Sequence, residues 1–316
     1  MTTKLIRSAL GFLNMVLGAD VTHKGFIRLS FLPLVAGMTF FLSASLAAEP
    51  GRVSEATGPL HVEEWLIPSP VAGLLMHAQL FRPAGSGPFP LAVINHGSEQ
   101  DARIRKKMKT PSFPKLTAWL VARGYAVLLP QRPGHGATGG QYLESQGWCM
   151  AADFKAAGDG AARSIEGAIQ YMRQQDFIDP EHLIAIGNSA GGWGTLAMAA
   201  RNPPGVVAAI NFSGGEGGRN GNKPNNNCSS DNLVQSAGEY GETARIPTLW
   251  LYAENDTFFG PELSSRMAAA FREAGGKVDY QLLPPIPGDG HALIDSEPTW
   301  SRPLERFLAG RHQTAP

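Results

Sequence analysis

The sequence predicts an α/β fold: a mostly parallel sheet with helices packed on both faces. Three observations lead there. Strand-like and helix-like segments alternate along most of the chain. The strand candidates are short, near-continuous apolar runs, as strands buried on both faces must be. And Gly187-Asn188-Ser189-Ala190-Gly191 follows one such run and opens a helix of small residues.

Each element carries its own signal. Residues 61–67 and 74–81 read as an initial antiparallel pair. The next strand, 90–94, ends in Asn95-His96-Gly97-Ser98. A helix over 113–123 stops at Gly124, which suits the left-handed position after a helix end, and 125–129 is again a strand. Over 150–174, Ala161, Ile165, Ala168 and Met172 fall on one helical face. Asp179-Pro180 leads into the strand 182–186, and the helix 190–200 follows. Strands are expected at 205–212, 247–253 and 277–283, and helices at 261–274 and 297–309. Between them, 213–242 reads as one long irregular loop rich in Gly and Asn. A loop of that length in a compact domain is functional or mobile by expectation.

Composition narrows the function classes. The chain has 316 residues, 43% hydrophobic and 17% charged, enough for one sizeable core. Basic and acidic side chains balance at 27 each, so nucleic acid and anionic membrane surfaces are not expected partners. No metal-ligand spacing and no phosphate- or dinucleotide-binding glycine pattern occurs, so no cofactor or metal is expected. Lys24 and Arg28 precede an apolar run, 29–46, that exits through Ser45-Leu46-Ala47-Ala48. This reads as a leader, 1–47, cleaved on export to the periplasm or medium, with one domain over 48–316. The alternative is a membrane anchor through 29–46, since about 18 residues just span a bilayer. The two cysteines, Cys149 and Cys228, are an even pair: a disulfide if exported, or two thiols.

The Gly-framed Ser189 has the sequence of a nucleophile elbow, a strained strand-to-helix turn that exposes a serine hydroxyl. Such a hydroxyl needs a base within reach and a carboxylate to orient it. Of eight His, most fall in the leader, the early strands, other turns or the tail. His291, in the Gly-rich loop after the last strand, is the candidate base. Asp256, in the turn after 247–253, is the candidate acid, with Glu254 and Asp289 in reserve. Developing negative charge on a carbonyl oxygen needs donors, and the backbone N–H groups of Ala190 and Ser98 are placed for that. His96 reads as structural. Trp148, Phe258 and Phe259 are candidates to line a substrate pocket, and Trp193 reads as core. The basic run from Arg103 to Lys109 reads as a solvated face, with attraction of an anionic substrate as the rival reading.

Taken together, these pieces resemble the α/β-hydrolases, and within them the dienelactone-hydrolase and prolyl-oligopeptidase-like branch. The matching residues are His96-Gly97, Gly124-Tyr125, Arg132-Pro133-Gly134-His135-Gly136, Gly187 to Gly192, the Asp256 turn and Gly290-His291. The resemblance implies a Ser or Cys, Asp, His triad and hydrolysis of ester, lactone or related acyl bonds. Dienelactone hydrolases carry Cys as nucleophile, and Ser189 here points instead to a general serine esterase acting on a small-molecule ester. The oligopeptidases carry a propeller domain for which this chain has no room. Acyl transfer to an alcohol or amine by the same residues is the first alternative, and a non-catalytic binding protein on this scaffold is the second. If His291 is the base, activity should fall as pH drops through roughly 6 to 7.

Overall fold

The computed structural model describes residues 48–309. The expected leader, 1–47, and the anchor reading of 29–46 lie outside the described residues. The chain divides into two units, Met1–Leu46 and Ala47–Pro316, and every strand and helix named here belongs to the second.

Nine strands form one sheet: β1 (Gly51–Arg52), β2 (Glu63–Pro68), β3 (Leu75–Phe81), β4 (Phe89–Asn95), β5 (Ala126–Pro130), β6 (Ile178–Asn188), β7 (Val206–Phe212), β8 (Thr248–Ala253) and β9 (Val278–Leu283). Their order across the sheet is β1-β2-β3-β5-β4-β6-β7-β8-β9. β1, β2 and β3 pair antiparallel, β3 joins β5 antiparallel, and every pair from β5 to β9 is parallel. The chain winds from β4 outward to β5, then returns to place β6 on the other side of β4. That reversal opens a crevice at the carboxyl ends of β4 and β6, where open α/β sheets bind ligands. Ser98 and Ser189 stand just beyond those two strand ends.

The helices are α1 (Ala102–Arg105), α2 (Pro114–Val121), α3 (Phe154–Met172), α4 (Ala190–Arg201), α5 (Ser230–Thr243), α6 (Pro261–Glu273) and α7 (Glu297–Leu308). One core gathers Ile165, Ile169 and Met172 of α3, Leu196 of α4, Leu233 of α5 and Phe271 of α6 against one sheet face. The other gathers Leu116 and Leu120 of α2 and Trp300, Leu304 and Phe307 of α7 against the opposite face. Alternate residues of each strand from β4 to β8 serve the two cores, as in β4, where Leu91 and Val93 belong to one and Ala92 and Ile94 to the other. This is why the inner parallel strands lack polar alternation, whereas β9 at the edge carries Asp279 and Gln281. Local signals set the helix ends: Pro114 and Pro261 occupy first turns, the Asp153 side chain caps α3 by accepting from the Ala156 N–H, and Gly124 takes a positive φ after α2.

The stretch 213–242 is not one irregular loop. Its second half is α5, with Leu233, Ser236, Ala237, Tyr240 and Gly241 buried on one face. Those residues follow helical spacing, but Ser and Gly carry almost no apolar signal, so the stripe is faint in the sequence. The irregular part is confined to 213–229. It is pinned at its far end by a disulfide between Cys228, just ahead of α5, and Cys149, just ahead of α3, with Cα atoms 5.1 Å apart.

A buried charged scaffold lies in the segment after β5. The Arg132 guanidinium donates to both carboxylate oxygens of Glu144, at 2.6 and 2.9 Å, with both side chains shut away from solvent. Burial alone would push the Glu144 carboxyl upward; the facing Arg132 outweighs it and holds it below its usual value. Arg132 also donates to the His96 carbonyl, which ties this segment to the turn after β4. Beside it sits His135, whose ring is lowered to about 4, chiefly by burial; Glu144 opposes that shift and Arg132 adds to it.

These features have two measurable outcomes. The Cys149–Cys228 bond closes a long loop, so the double variant Cys149→Ser, Cys228→Ser should lose about 2–5 kcal/mol in denaturant unfolding; equal midpoints with and without reductant would show that the bond contributes nothing. The unfolded His135 binds its proton near 6.5 and the folded one only near 4. The unfolded state therefore takes up protons first as pH falls, and stability drops across that window. Melting temperature against pH should decline from 6.5 toward 4, more shallowly in His135→Gln; parallel curves for the two proteins would exclude this contribution.

Candidate active site

The turn between β6 and α4 is as tight as its glycines suggest. Ser189 takes φ 55° and ψ −126°, a backbone conformation that costs a non-glycine residue of order 1–3 kcal/mol and persists only when its surroundings enforce it. They do. Ser189 N–H donates to the Phe212 carbonyl of β7 at 3.1 Å, and its carbonyl accepts from the N–H groups of Trp193 and Gly215. A Cβ on Gly187 would collide with the Gly191 carbonyl, and one on Gly191 with the carbonyls of Asn95 and His96. The strand end, the first helical turn and the β4 turn thus approach to a spacing only glycine allows. Asn95 bolts the junction: its amide donates to the Ile186 carbonyl at 3.0 Å and to Thr195 Oγ1 at 3.2 Å.

Asp256 and His291 meet across two loops. His291 Nδ1 lies 3.2 and 3.3 Å from the two carboxylate oxygens of Asp256. Asp256 is only 1% exposed, and one oxygen accepts from the N–H groups of Phe258 and Phe259 at 2.8 and 3.0 Å. That fixes the carboxylate in its turn. The His291 loop is held by Asn255, whose amide donates to the carbonyls of Ile286 and Gly288, and by Asp289, which accepts from the N–H groups of His291 and Thr257. Asp289, a reserve acid, is therefore a loop brace, and Glu254, the other reserve, is exposed. The His291 ring stacks on Phe258 with centroids 4.1 Å apart, and Phe259 lies at 5.7 Å. Among the described residues no hydrogen bond joins Ser189 Oγ to His291.

Ser189, Ala190 and Ser98 line one cavity of about 290 Å³, together with Phe258 and Phe259. Ala190 is the first residue of α4, so its N–H has no partner within the helix. Trp148 is placed elsewhere. It does not line this cavity and is 88% exposed, next to the disulfide-bonded Cys149. Trp193 is fully buried and its indole N–H donates to the Phe154 carbonyl. In the basic run only Arg105 reaches the cavity, where its guanidinium lies 3.6 Å over the Tyr142 ring; Arg103, Lys106, Lys107 and Lys109 are exposed.

The turn carrying Ser98 rests on two buried histidines. The Arg132 N–H donates to His96 Nε2 at 3.1 Å, so the neutral ring keeps its proton on Nδ1, beside the Gly97 carbonyl. Burial, then Arg132, hold His96 well below its ordinary value. His135 Nδ1 faces the carbonyls of Arg132 and Pro133 at 3.1 Å, which leaves Nε2 to accept from the Ser98 hydroxyl at 2.9 Å. The Tyr142 hydroxyl, 3.3 Å away, completes the relay by donating to Ser98 Oγ. The side chains of Ser98, His135, Tyr142, Arg132 and Glu144 thus position a backbone amide. Sequence reasoning left them without a role; the only hint was the Arg132-Pro133-Gly134-His135-Gly136 stretch.

Glu216 is another residue the sequence did not mark. It lines the same cavity and is 8% exposed. Burial, then the nearby Glu144, push its carboxyl up to about 8, against a lowering by Arg132 and by the Gly217 N–H.

Comparison with known proteins bears on the fold and the family. Among solved structures, an esterase from Pyrococcus furiosus matches with TM-score 0.55 at 14% identity, covering 83% of this chain and 98% of that one. An acetyl xylan esterase from a Paenibacillus species matches with TM-score 0.54 at 14% identity, over 83% and 87%. A dipeptidyl peptidase 4 from Porphyromonas gingivalis matches with TM-score 0.58 at 16% identity, over 79% of this chain and 35% of that one. At such identities the likeness concerns the fold, which is the α/β-hydrolase fold. No curated protein sequence matches the chain. The dienelactone hydrolase family profile matches residues 108–304. That stretch holds Ser189, Asp256 and His291 and exceeds half the sequence: the chain belongs to the dienelactone hydrolase family.

Proposed function

We propose that this protein hydrolyses carboxylic esters or lactones through an acyl-enzyme on Ser189. The observation that carries the reading is the pairing of a strained serine turn in a cavity wall with an ordered His291–Asp256 couple beside the same cavity. In the reaction, Ser189 Oγ attacks the ester carbonyl carbon while His291 Nε2 takes its proton. That hydrogen bond forms in the substrate complex, as catalytic contacts commonly tighten only there. Asp256 holds the imidazole by Nδ1 and stabilises its charged form. The N–H groups of Ala190 and Ser98 donate to the carbonyl oxygen as negative charge develops on it. His291 then protonates the leaving alcohol, and a water activated by the same imidazole releases the acid and frees Ser189. Membership of a hydrolase family and the esterases among the structural neighbours support the reaction class.

The nucleophile carries the test. Ser189→Ala should lower kcat/KM for p-nitrophenyl acetate by about a thousandfold or more, with an unchanged circular dichroism spectrum, and Asp256→Asn should cost about a hundredfold or more. Undiminished turnover in Ser189→Ala would end the proposal. We also propose export, supported by the apolar run with its small-residue exit and by the Cys149–Cys228 bond. Amino-terminal sequencing of the protein purified from its native cells should begin at Ala48; an intact Met1 would refute cleavage.

A further inference from the structure

We propose that Glu216 binds an uncharged hydroxyl group of the substrate, so that the site selects hydroxyl-bearing esters over alkyl esters of equal size. This rests on the reading of Ser189 as nucleophile. Glu216 and Ser189 line one cavity, so a substrate seated at the serine passes the carboxyl. Among the described residues no side chain forms a hydrogen bond or ion pair with Glu216; the nearby N–H of Gly217 is its one partner. The carboxyl faces the cavity with hydrogen-bonding capacity left for a ligand.

The charged neighbours bond mainly to other groups. Arg132 is consumed by Glu144 and by the His96 carbonyl. Arg105 donates to the carbonyl of Glu99 and stacks on Tyr142. The other titratable groups facing Glu216 are Glu144, Tyr142 and Tyr240, and all three are hydrogen-bonded elsewhere. With its proton retained up to about pH 8, the carboxyl offers one donor and one acceptor. A hydroxyl satisfies both at once. An ammonium group would instead meet Arg105 in the same wall and a carboxyl that keeps its proton. The remaining walls fit a polar occupant, since Gln100, Ser145 and Gln146 share the cavity.

The hydroxyl belongs to either half of the ester, and two substrate pairs separate the cases. One compares p-nitrophenyl 3-hydroxybutyrate with p-nitrophenyl 3-methylbutyrate; the other compares 2-hydroxyethyl acetate with propyl acetate. At pH 7 the full-length enzyme should prefer the hydroxylated member of one pair by about tenfold or more in kcat/KM. Glu216→Gln, which keeps a donor and an acceptor, should retain most of that ratio, and Glu216→Leu should bring it near one. Raising pH from 7 to 9 should change the ratio in the wild type, as the carboxyl loses its donor, and leave it constant in Glu216→Gln, a readout that survives if the leucine variant does not fold. A ratio near one in the wild type, a ratio unchanged in Glu216→Leu, or preference for acetylcholine over propyl acetate would overturn the subsite. Loss of every substrate in Ser189→Ala alongside such a result would confine the failure to Glu216. Normal turnover of all of them in Ser189→Ala would instead end the hydrolase reading.

Discussion

Everything at this site depends on how closely the first turn of α4 approaches the ends of β4 and β6. Gly187 and Gly191 allow that approach, and the Phe212 carbonyl, Gly215 N–H and Asn95 amide enforce it. The consequence is a serine held in a backbone conformation it would not choose. It stands at the carboxyl end of a central strand, in the wall of the cavity. The same approach brings the Ser98 turn beside Ala190, so the two residues line one cavity. Strain at one residue is thus supported by contacts from β4, β6, β7 and α4 together.

The second organising element is electrostatic. Arg132 and Glu144 are charges buried almost completely, and each makes the other tolerable. Arg132 reaches the His96 carbonyl, His96 accepts the Arg132 N–H, and His135 holds Ser98. A loop that looks like a connector is therefore the foundation of the turn after β4. The polar network also explains the unusual state of Glu216. Burial disfavours a charge there first, and Glu144 adds to it as a nearby negative charge, while the positive charge of Arg132 is largely neutralised by Glu144 itself.

Much of this was legible in the sequence, for physical reasons that differ by element. The parallel strands were readable because burial on both faces demands apolar runs, as in β8, where all six residues are buried. The elbow was readable because only glycine fits there. Positions of Ser189, Asp256 and His291 followed from strand ends, and the structure brings the last two into contact. Helix α5 escaped notice because its buried face includes Ser236 and Gly241, which no hydrophobic period reveals. Trp148 was misleading because an aromatic ring near a cavity loop need not face the cavity: Gly147 lines it, and Trp148 points to solvent. Glu144 and Glu216 were invisible for a related reason: a carboxylate in a sequence looks solvated, and only the fold shows what surrounds it.

The bond between Cys149 and Cys228 has a topological meaning as well. It closes a covalent ring that contains all of α3, β6, α4 and β7. Ser189 and Glu216 lie within that ring; Asp256 and His291 lie beyond it. A single backbone cut anywhere inside the ring would leave both halves chemically attached, with the nucleophile still tethered to the segment that carries its base and acid. The protein's identity as one molecule therefore does not depend on continuity of the chain through the very region where the serine is most tightly bent.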